Sequence, residues 1–575
     1  MLKTKCKESN DLKKHVDIFL LTNKIKYDSF SQLQSKLNDI SNLSFADTIE
    51  FIKENQDSFF KDHATSIFFV RNIIRFSKIN LKQMELILDL FSHFSNELRN
   101  QNVTEAEIID SCDKVLNIIN YLFYIKVISI ETIIQKSVSF DVLFINFLPE
   151  IEEYDKEYSN IRENKLMNDF NDDTNINHYE SFYNMVKSDP KKHVRNRNLN
   201  YHPSSLHKSI RDDDIETFQS ILSKNNYSVN HKIEYSIYER AHTPDTKMSL
   251  IQIAAIYGSL KVFKFLWLQK ETVFDENIQR YANYGNNYEI IHLIELKGSH
   301  KYVIDDLIAF NRHDLLNYFL DNYGNEIENE SEESLKNFVV DDDELSKSLN
   351  NQNLLCAITF FNIPIIVSCL HKIAFIVKND ESEISYSLIQ RSEFDLDLLK
   401  FLLSLKSNDL TYGLYLFSYT IKTMAFDTFT FLFHKYLPKI DFYNLFHQCI
   451  LVNSKFVNYL LDFLSSNENI LRKNFLIFKA KISIDELLFA VDFYDEDTVV
   501  KMIKLFYIID SYEKQNQFLE KLAENLSIMM ISSLFKRIIP FLISDDLISI
   551  LEVLKFYEIS EICDLIVEKV SINNQ

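Results

Sequence analysis

The sequence predicts an all-α fold, an irregular solenoid of stacked helix pairs that follows an N-terminal helical region. Three observations predict it. Apolar residues recur at helical spacing along most of the 575 residues. Only 5 glycines and 7 prolines are present, too few for a chain rich in hairpins. Residues 249–268 carry two apolar helical faces separated by a glycine, and such a unit is stable only when it stacks on similar units.

The segment 249–268 sets the pattern for the repeat. Its first predicted helix carries the small pair Ala254 and Ala255, which lets a neighbouring helix approach closely. Its second predicted helix carries Phe263 at the centre of an apolar face. Gly258 stands between the two helices, where a tight turn requires a positive φ. The pattern therefore predicts two short helices joined at Gly258.

Ser249–Leu266 resembles the ankyrin repeat in its order of capping hydroxyl, first helix with paired alanines, glycine and apolar second helix. It departs from that pattern at Ser249, Leu250 and Gln252, where the family has threonine, proline and histidine. The longer segment Leu206–Gly324 is more similar to a divergent ankyrin-like family of unknown function that is expanded in parasitic protists. The resemblance implies stacked helix pairs and no particular activity. The departures remove side-chain hydrogen bonds that usually tie ankyrin units together.

These patterns divide the chain into five segments. We expect a helical bundle or cap in 1–150, a polar connector with a basic run in 151–205, and the best-matching repeats in 206–324. An acidic loop follows in 325–348, and degenerate ankyrin-like helical repeats occupy 349–575. Where these later repeats lack glycine at their turns, we expect Asn, Asp or Ser, of which Asn and Asp best tolerate the left-handed region.

Charge limits the kinds of partner. With 62 basic and 83 acidic residues, the net charge of −21 disfavours a general nucleic-acid or anionic-membrane surface. The run 191–211 has six basic residues and no acid, and three interpretations stay open: a solvated linker, a docking patch for an acidic partner, or an import signal. In the acidic loop, Ser331 and Ser334 are either phosphorylation sites or part of an unmodified spacer.

The cysteines and the longest apolar run indicate in which compartment the protein is expected. The six cysteines are scattered, which is typical of reduced thiols inside a cell. Residues 354–370 approach the length of a membrane span. However, Asn362 and Pro364 stand where a helix pair would place its turn, which favours a buried repeat. We therefore expect an intracellular, cytoplasmic protein without a membrane span.

The sequence offers little material for catalysis. No stretch matches a phosphate-binding loop, a dinucleotide fingerprint, a zinc-protease helix or a nucleophile elbow. Cys356, Cys369 and His371 lack the paired spacing and the fourth ligand of a zinc site. His447 and Cys449 stand two residues apart, so a helix directs them to different faces. We expect no enzymatic activity, no metal and no cofactor.

The insertion 223–248, just before the best repeat, is the main candidate for partner binding. Ankyrin folds use the connections between their units as part of the binding face. The insertion contains aromatic and basic side chains of the kind found in protein interfaces. These candidate partner-binding residues are Tyr227, His231, Tyr235, Tyr238, Arg240 and His242. In an equally open interpretation, Ile233 and Ile237 fold the insertion onto its own scaffold. Trp267 is expected to be buried between units.

The sequence thus predicts a non-enzymatic scaffold or adaptor. It would bind an unidentified protein partner, for which a cytoskeletal protein is one candidate, on the concave face of the repeats and in the insertion. One alternative is a regulatory or targeting subunit of an enzyme that docks through the acidic loop. Another is a structural component of the cytoskeleton that associates with itself.

Overall fold

The computed structural model describes residues 2–466, 498 and 501–502, with gaps inside the first range. The gaps are 138–139, 173–176, 200, 235, 240–246, 275–276, 298–303, 328–348, 380–386, 390–394, 406–415, 418–419, 422–424, 438–439, 441 and 451–453. The expected acidic loop, with Ser331 and Ser334, lies outside the described residues except at 325–327, which end a helix.

The first part of the chain is helical, as predicted, with helices of very different lengths. They are Leu2–Asn38, Phe45–Glu54, Gln56–Phe59, His63–Ile79, Met84–Asn100, Glu105–Ser111 and Leu116–Tyr124, with a 3₁₀ turn at Leu81–Gln83. Capping residues explain where several of these helices begin. Asp62 caps the fourth of these helices by accepting a hydrogen bond from the Thr65 amide at 2.8 Å. Thr104 and Glu107 form a capping box before the sixth.

The next part, which contains the expected connector, is also folded into helices. They are Ile130–Ser137, Asp141–Tyr154, Lys156–Asp172, Asn177–Ser188 and Pro190–Leu199. The last of them carries the start of the basic run. Lys191, Lys192 and Arg195 are exposed there, whereas His193 and Arg197 are buried. These two buried side chains anchor the helix, so the segment is a packed part of the fold rather than a solvated linker.

From residue 205 onward the helices come in consecutive pairs. The pairs are Ser205–Arg211 with Ile215–Asn225, Leu250–Ile256 with Leu260–Leu268, Ile278–Gly285 with Tyr288–Leu296, Ile304–Ala309 with His313–Ile327, and Asn351–Thr359 with Ile363–Ser368. The first helices of successive pairs pack against one another in chain order. Every side chain of Leu250–Ile256 is buried. The hydrophobic core of this region therefore runs along the first helices.

Further helices follow the pairs, and one small sheet interrupts them. The later helices are Leu370–Asn379, Leu396–Leu405, Phe426–Tyr436, Phe442–Ile450 and Ser454–Ser466. Lys232–Glu234 and Lys247–Ser249 form a two-stranded antiparallel sheet inside the insertion, with Ile233 opposite Met248. The described chain is thus almost entirely helical, as the sequence predicts. No helix within it is both long and apolar enough to cross a membrane.

The turns inside the helix pairs share one backbone feature, a single residue in the left-handed region. These residues are Asp213, Gly258, Asn286, Asn311 and Phe361, with φ between 52° and 57°. The positive φ predicted for Gly258 is confirmed. Asp213, Asn286 and Asn311 are of types that tolerate this region, although such residues were expected in the repeats after residue 349. Phe361 is not of such a type, because a bulky side chain is strained in this region.

Backbone contact and polar side chains tie neighbouring pairs together. A Cβ on Gly285 would lie 1.9 Å from the Ala255 carbonyl oxygen, so only glycine permits this approach. The Asn287 side chain donates to the Gly258 carbonyl oxygen at 3.1 Å. Asn362 makes a similar bond two pairs later. Its side chain donates to the carbonyl oxygen of Ile308 at 3.0 Å. Asparagines in the turns therefore tie one helix pair to the preceding one.

The N-terminal helices lie along the helix pairs in reverse order. Near the start of the chain, the Gln34 side chain contacts the turn after residue 360, accepting from the Ile363 amide at 3.2 Å. Further on, Arg75 donates to the Ala309 carbonyl oxygen at 2.8 Å. Later still, Asn117 donates to the Glu239 carbonyl oxygen. This region therefore runs along the stack instead of closing one of its ends as a cap.

The chain divides into two compact units, and each is made of two stretches. The first contains residues 1–127 and 195–408, and the second contains 128–194 and 409–575. In the second unit, the His193 ring nitrogen Nε2 donates to the Asn146 carbonyl oxygen at 2.8 Å. All the pairs and ties described above belong to the first unit.

Candidate functional site

The insertion before the best repeat is partly folded onto its scaffold. Ile233 is buried from the first strand, as expected of an anchor. The second strand runs directly into the helix Leu250–Ile256. There Ser249 accepts from the Gln252 amide at 3.4 Å, while Gln252 accepts from the Ser249 amide at 2.7 Å. Gln252 thus completes a capping box that fixes where the insertion ends.

Two of the predicted partner-binding residues lie together at the surface. The rings of Tyr227 and His231 stack at 4.2 Å between centroids, and Tyr227 is 40% exposed. Asn230 holds this pair of rings against the connection that follows the helix Leu260–Leu268. Its side chain donates to the Glu271 carbonyl oxygen at 2.6 Å and accepts from the Val273 amide at 2.9 Å. The pair is therefore fixed beside the end of the following helix pair.

A second aromatic group lies at that connection. The rings of Trp267 and Phe274 meet edge to face at 4.7 Å. The Lys297 ammonium lies 3.4 Å from the Phe274 ring centroid and 4.4 Å from the Trp267 ring centroid. Desolvation lowers the pKa of Lys297 below its ordinary value. Trp267 is half-buried at this surface, so the expectation of full burial between units was wrong.

Exposed aliphatic side chains extend this group. Leu268 is 78% exposed, and Leu296, at the end of the next second helix, is 71% exposed. Val273 is also exposed between them in the chain. We use the name aromatic edge for this surface. It consists of Tyr227, His231, Trp267, Leu268, Val273, Phe274, Leu296 and Lys297.

Among the remaining predicted residues, the structure describes only Tyr238, and it does not join the aromatic edge. Tyr238 is buried, and burial raises the pKa of its hydroxyl to about 12. Its side chain therefore belongs to the interior and is closed to a partner in this structure. Tyr235, Arg240 and His242 lie outside the described residues. The insertion is thus folded onto its scaffold at Ile233 and Tyr238, while partner binding by Tyr227 and His231 stays a prediction.

Sequence reasoning missed a buried polar cluster beside Tyr238. The Glu239 carboxylate lies 2.7 Å from the His207 ring nitrogen Nε2 and accepts a hydrogen bond from the Tyr257 hydroxyl. The His202 ring stacks on His207 at 4.7 Å. Burial, together with His207, lowers the pKa of His202. The only signal in the sequence is the position of His207 on the inner face of a first helix.

The residues considered for metal binding or nucleophilic catalysis are dispersed. Cys356 donates to the Asp305 carbonyl oxygen, and burial raises its pKa to about 12. His371 instead pairs with Asp17 at 3.0 Å. Cys449 is buried while His447 is exposed, which confirms that they point to different faces. Within the described residues, no three His, Cys, Asp or Glu side chains form a group that could hold a metal ion.

No family model matches this chain, and the comparisons with curated proteins and with solved structures gave no match either. The geometry of the aromatic edge is therefore the basis for a function.

Proposed function

We propose that the helix pairs form an irregular ankyrin-like solenoid and that the protein is a non-enzymatic scaffold or adaptor acting in the cytoplasm. The aromatic edge is its binding surface for a protein partner. The observation that carries this proposal is the exposure of Leu268 and Leu296 next to Trp267 and Phe274. Exposed apolar side chains that adjoin aromatic rings are typical of protein-binding surfaces, in which aromatic residues supply most of the affinity.

The aromatic edge is a better candidate than the first helices of the pairs. Every side chain of Leu250–Ile256 is buried, so this helix offers no free face. The turn at Ala309 and the turn before Ile363 are contacted by N-terminal helices. The opposite ends of the second helices, where the edge lies, carry exposed apolar side chains. We therefore place the partner there and not on the concave face expected from the sequence.

The chemistry of the edge suggests what the partner carries. The Lys297 ammonium lies over two aromatic rings, and among the described residues no carboxylate forms an ion pair with it. A protein segment with an aliphatic or aromatic side chain next to an Asp or Glu would match both Lys297 and the exposed apolar side chains. The acid would pair with Lys297, while the apolar group would cover Leu268 and Leu296.

Affinity purification from the native cell, with quantitative mass spectrometry, tests this proposal. The test variant combines Leu268→Ser, Leu296→Ser and Lys297→Glu, all at the edge. The matched control is Tyr288→Ser, because Tyr288 is exposed at the opposite end of the helix that ends at Leu296. The edge variant should lose about tenfold or more of one protein partner that the control retains.

Equal recovery of every partner by the edge variant and the wild type, with unchanged thermal unfolding, would refute the aromatic edge as the binding surface. The identity of a lost partner separates the classes of function. A structural protein in stoichiometric amount supports a scaffold, whereas an enzyme whose activity follows this chain indicates a regulatory subunit.

A further inference from the structure

A buried arginine in the first unit has too few partners for its charge. Arg75 lies on the helix His63–Ile79 and is 7% exposed. Its Nη2 donates to the Ala309 carbonyl oxygen at 2.8 Å. The Nε and Nη1 atoms are buried and have no hydrogen-bond partner. A guanidinium carries five N–H donors, so most of its donor capacity is unused here.

The groups around Arg75 do not compensate its charge. Among the described residues, no carboxylate forms an ion pair with it. The rings of Phe76 and Phe360 lie 5.9 Å and 5.4 Å from its guanidinium carbon. The nearby Cys356 thiol is neutral, because its pKa is raised to about 12 by burial. Burial lowers the pKa of Arg75 itself to about 9, so it remains charged near neutral pH.

A neighbouring arginine shows how a purely structural guanidinium is satisfied in the same region. Arg312 is also buried, and all three of its nitrogens donate. Nε donates to the Asn283 carbonyl oxygen at 3.1 Å, Nη1 to Asn38 Oδ1 at 2.7 Å, and Nη2 to the Tyr284 carbonyl oxygen at 3.1 Å. Arg312 shows that this region can satisfy a buried arginine completely, whereas Nε and Nη1 of Arg75 have no hydrogen-bond partner.

We propose that Arg75 is the centre of a binding site for a small oxyanion, such as inorganic phosphate, at the turn between Ala309 and His313. An uncompensated buried charge is strongly unfavourable, and an anion removes that penalty. The planar guanidinium presents paired donors that match the geometry of an oxyanion better than that of a spherical ion. The oxyanion would accept a hydrogen bond from Nε or from Nη1, which lie on different edges of the guanidinium.

Two further features at this turn suit an anion. The helix His313–Ile327 begins here, so the positive end of its dipole lies beside the site. The His313 imidazole is near Arg75, and burial together with Arg75 lowers its pKa to about 4. Phe360, whose ring lies 5.4 Å from the guanidinium carbon, is 40% exposed, which places Arg75 close to the surface.

Thermal unfolding of the full-length protein tests the site, with inorganic phosphate, sulfate and chloride compared at equal ionic strength. Phosphate or sulfate at about 100 times its dissociation constant should raise Tm by about 2 °C or more, and chloride should not. Arg75→Met should abolish this rise. Arg99→Met, which removes an exposed arginine, should keep it.

The Arg75→Met variant should also be no less stable than the wild type when phosphate and sulfate are absent, because it removes a buried charge without a counterion. If it does not fold, Arg75→Lys provides the test by isothermal titration. Lysine keeps the charge but loses the planar donors, so phosphate binding should weaken about tenfold or more. An equal rise of Tm with chloride, or an unchanged phosphate response in the folded Arg75 variant, would overturn the proposal.

Discussion

The turns at Gly258 and Phe361 have nearly the same backbone but different support. Both place one residue in the left-handed region, at φ 57° and 52°. At Gly258 the neighbouring pair supplies the support, since the backbone of Gly285 packs directly on it. At Phe361 an N-terminal helix supplies it. The Gln34 side chain donates to the Phe361 carbonyl oxygen, and the Phe361 ring packs edge to face on Phe68 at 5.5 Å.

This difference shows how a local rule is overridden. Glycine removes the strain of a left-handed residue and lets a second backbone approach. Phenylalanine is strained there, by about 1–3 kcal/mol, and persists only when its surroundings compensate. The contacts from Gln34 and Phe68 provide that compensation. The turn at Gly258 therefore keeps glycine, whereas the turn covered by Gln34 and Phe68 tolerates phenylalanine.

The largest expected loss of stability is at the Gly258 turn, which the neighbouring helix pair supports. We expect Gly285→Ala to lower the free energy of unfolding by about 3 kcal/mol or more, because its Cβ would overlap backbone atoms that cannot move aside. Its Cβ would lie 1.9 Å from the Ala255 carbonyl oxygen and 2.9 Å from that of Ile256. The midpoint of urea unfolding measures the loss. A loss below that of a surface substitution such as Tyr288→Ser would contradict the close contact.

The next largest effect is expected from acid, which should weaken the turn between Ala309 and His313 that an N-terminal helix contacts. His313 hydrogen bonds to Asn311, the left-handed residue of its turn, at 3.0 Å. Its pKa is lowered to about 4 by burial and by Arg75, so the unfolded chain takes up a proton first as pH falls. The stability contribution is therefore complete above about pH 6.5 and is lost towards pH 4, by up to about 3 kcal/mol.

Replacing His313 with Asn should flatten the dependence of the unfolding midpoint on pH between 6.5 and 4. The matched control is His15→Asn, since His15 is exposed on the first helix. If both variants show the slope of the wild type, then His313 is not depressed and the turn between Ala309 and His313 is not sensitive to acid.

A somewhat smaller effect is expected from removing the clamp at Phe361. The clamp consists of the hydrogen bonds of the Gln34 side chain to Phe361 and Ile363. Gln34→Leu leaves the buried Ile363 amide and the Phe361 carbonyl without their partner, which should cost about 1–3 kcal/mol. Hydrogen exchange locates the loss. Amide exchange should accelerate at the turn 360–363 and stay unchanged at the Gly258 turn. Equal acceleration at both turns would show that the clamp acts on the whole unit and not on one turn.

The smallest effects come from placing glycine at each left-handed position. Asn286→Gly should change the unfolding free energy by less than about 1 kcal/mol, because asparagine tolerates this region. Phe361→Gly should instead be destabilising, since the ring contact with Phe68 is lost together with the strain. Equilibrium unfolding of the two variants compares them. A stabilised Phe361→Gly would mean that packing does not compensate the strain.

The local sequence pattern predicts much of the fold but only part of the candidate site. Helical spacing, the scarcity of glycine and the position of Gly258 predict the helix pairs. Tyr227 and His231 are at the surface, as the composition of the insertion suggested. The burial of Tyr238 could not be predicted, because its neighbour Glu239 is held by residues distant in sequence. A left-handed Phe361 was equally unpredictable, since its support comes from Gln34.

The reverse order in which the N-terminal helices contact the pairs has a consequence for synthesis. Gln34 and Phe361 are separated by 327 residues, and Lys26 and Asp395 by 369. At roughly 5–20 residues per second, a ribosome needs at least about 15 s to deliver the second partner after the first. The helices made first must wait longest for their contacts, with apolar side chains such as Phe68 uncovered. Nascent chains of this protein are therefore expected to depend on holding chaperones until residues near Asp395 have emerged.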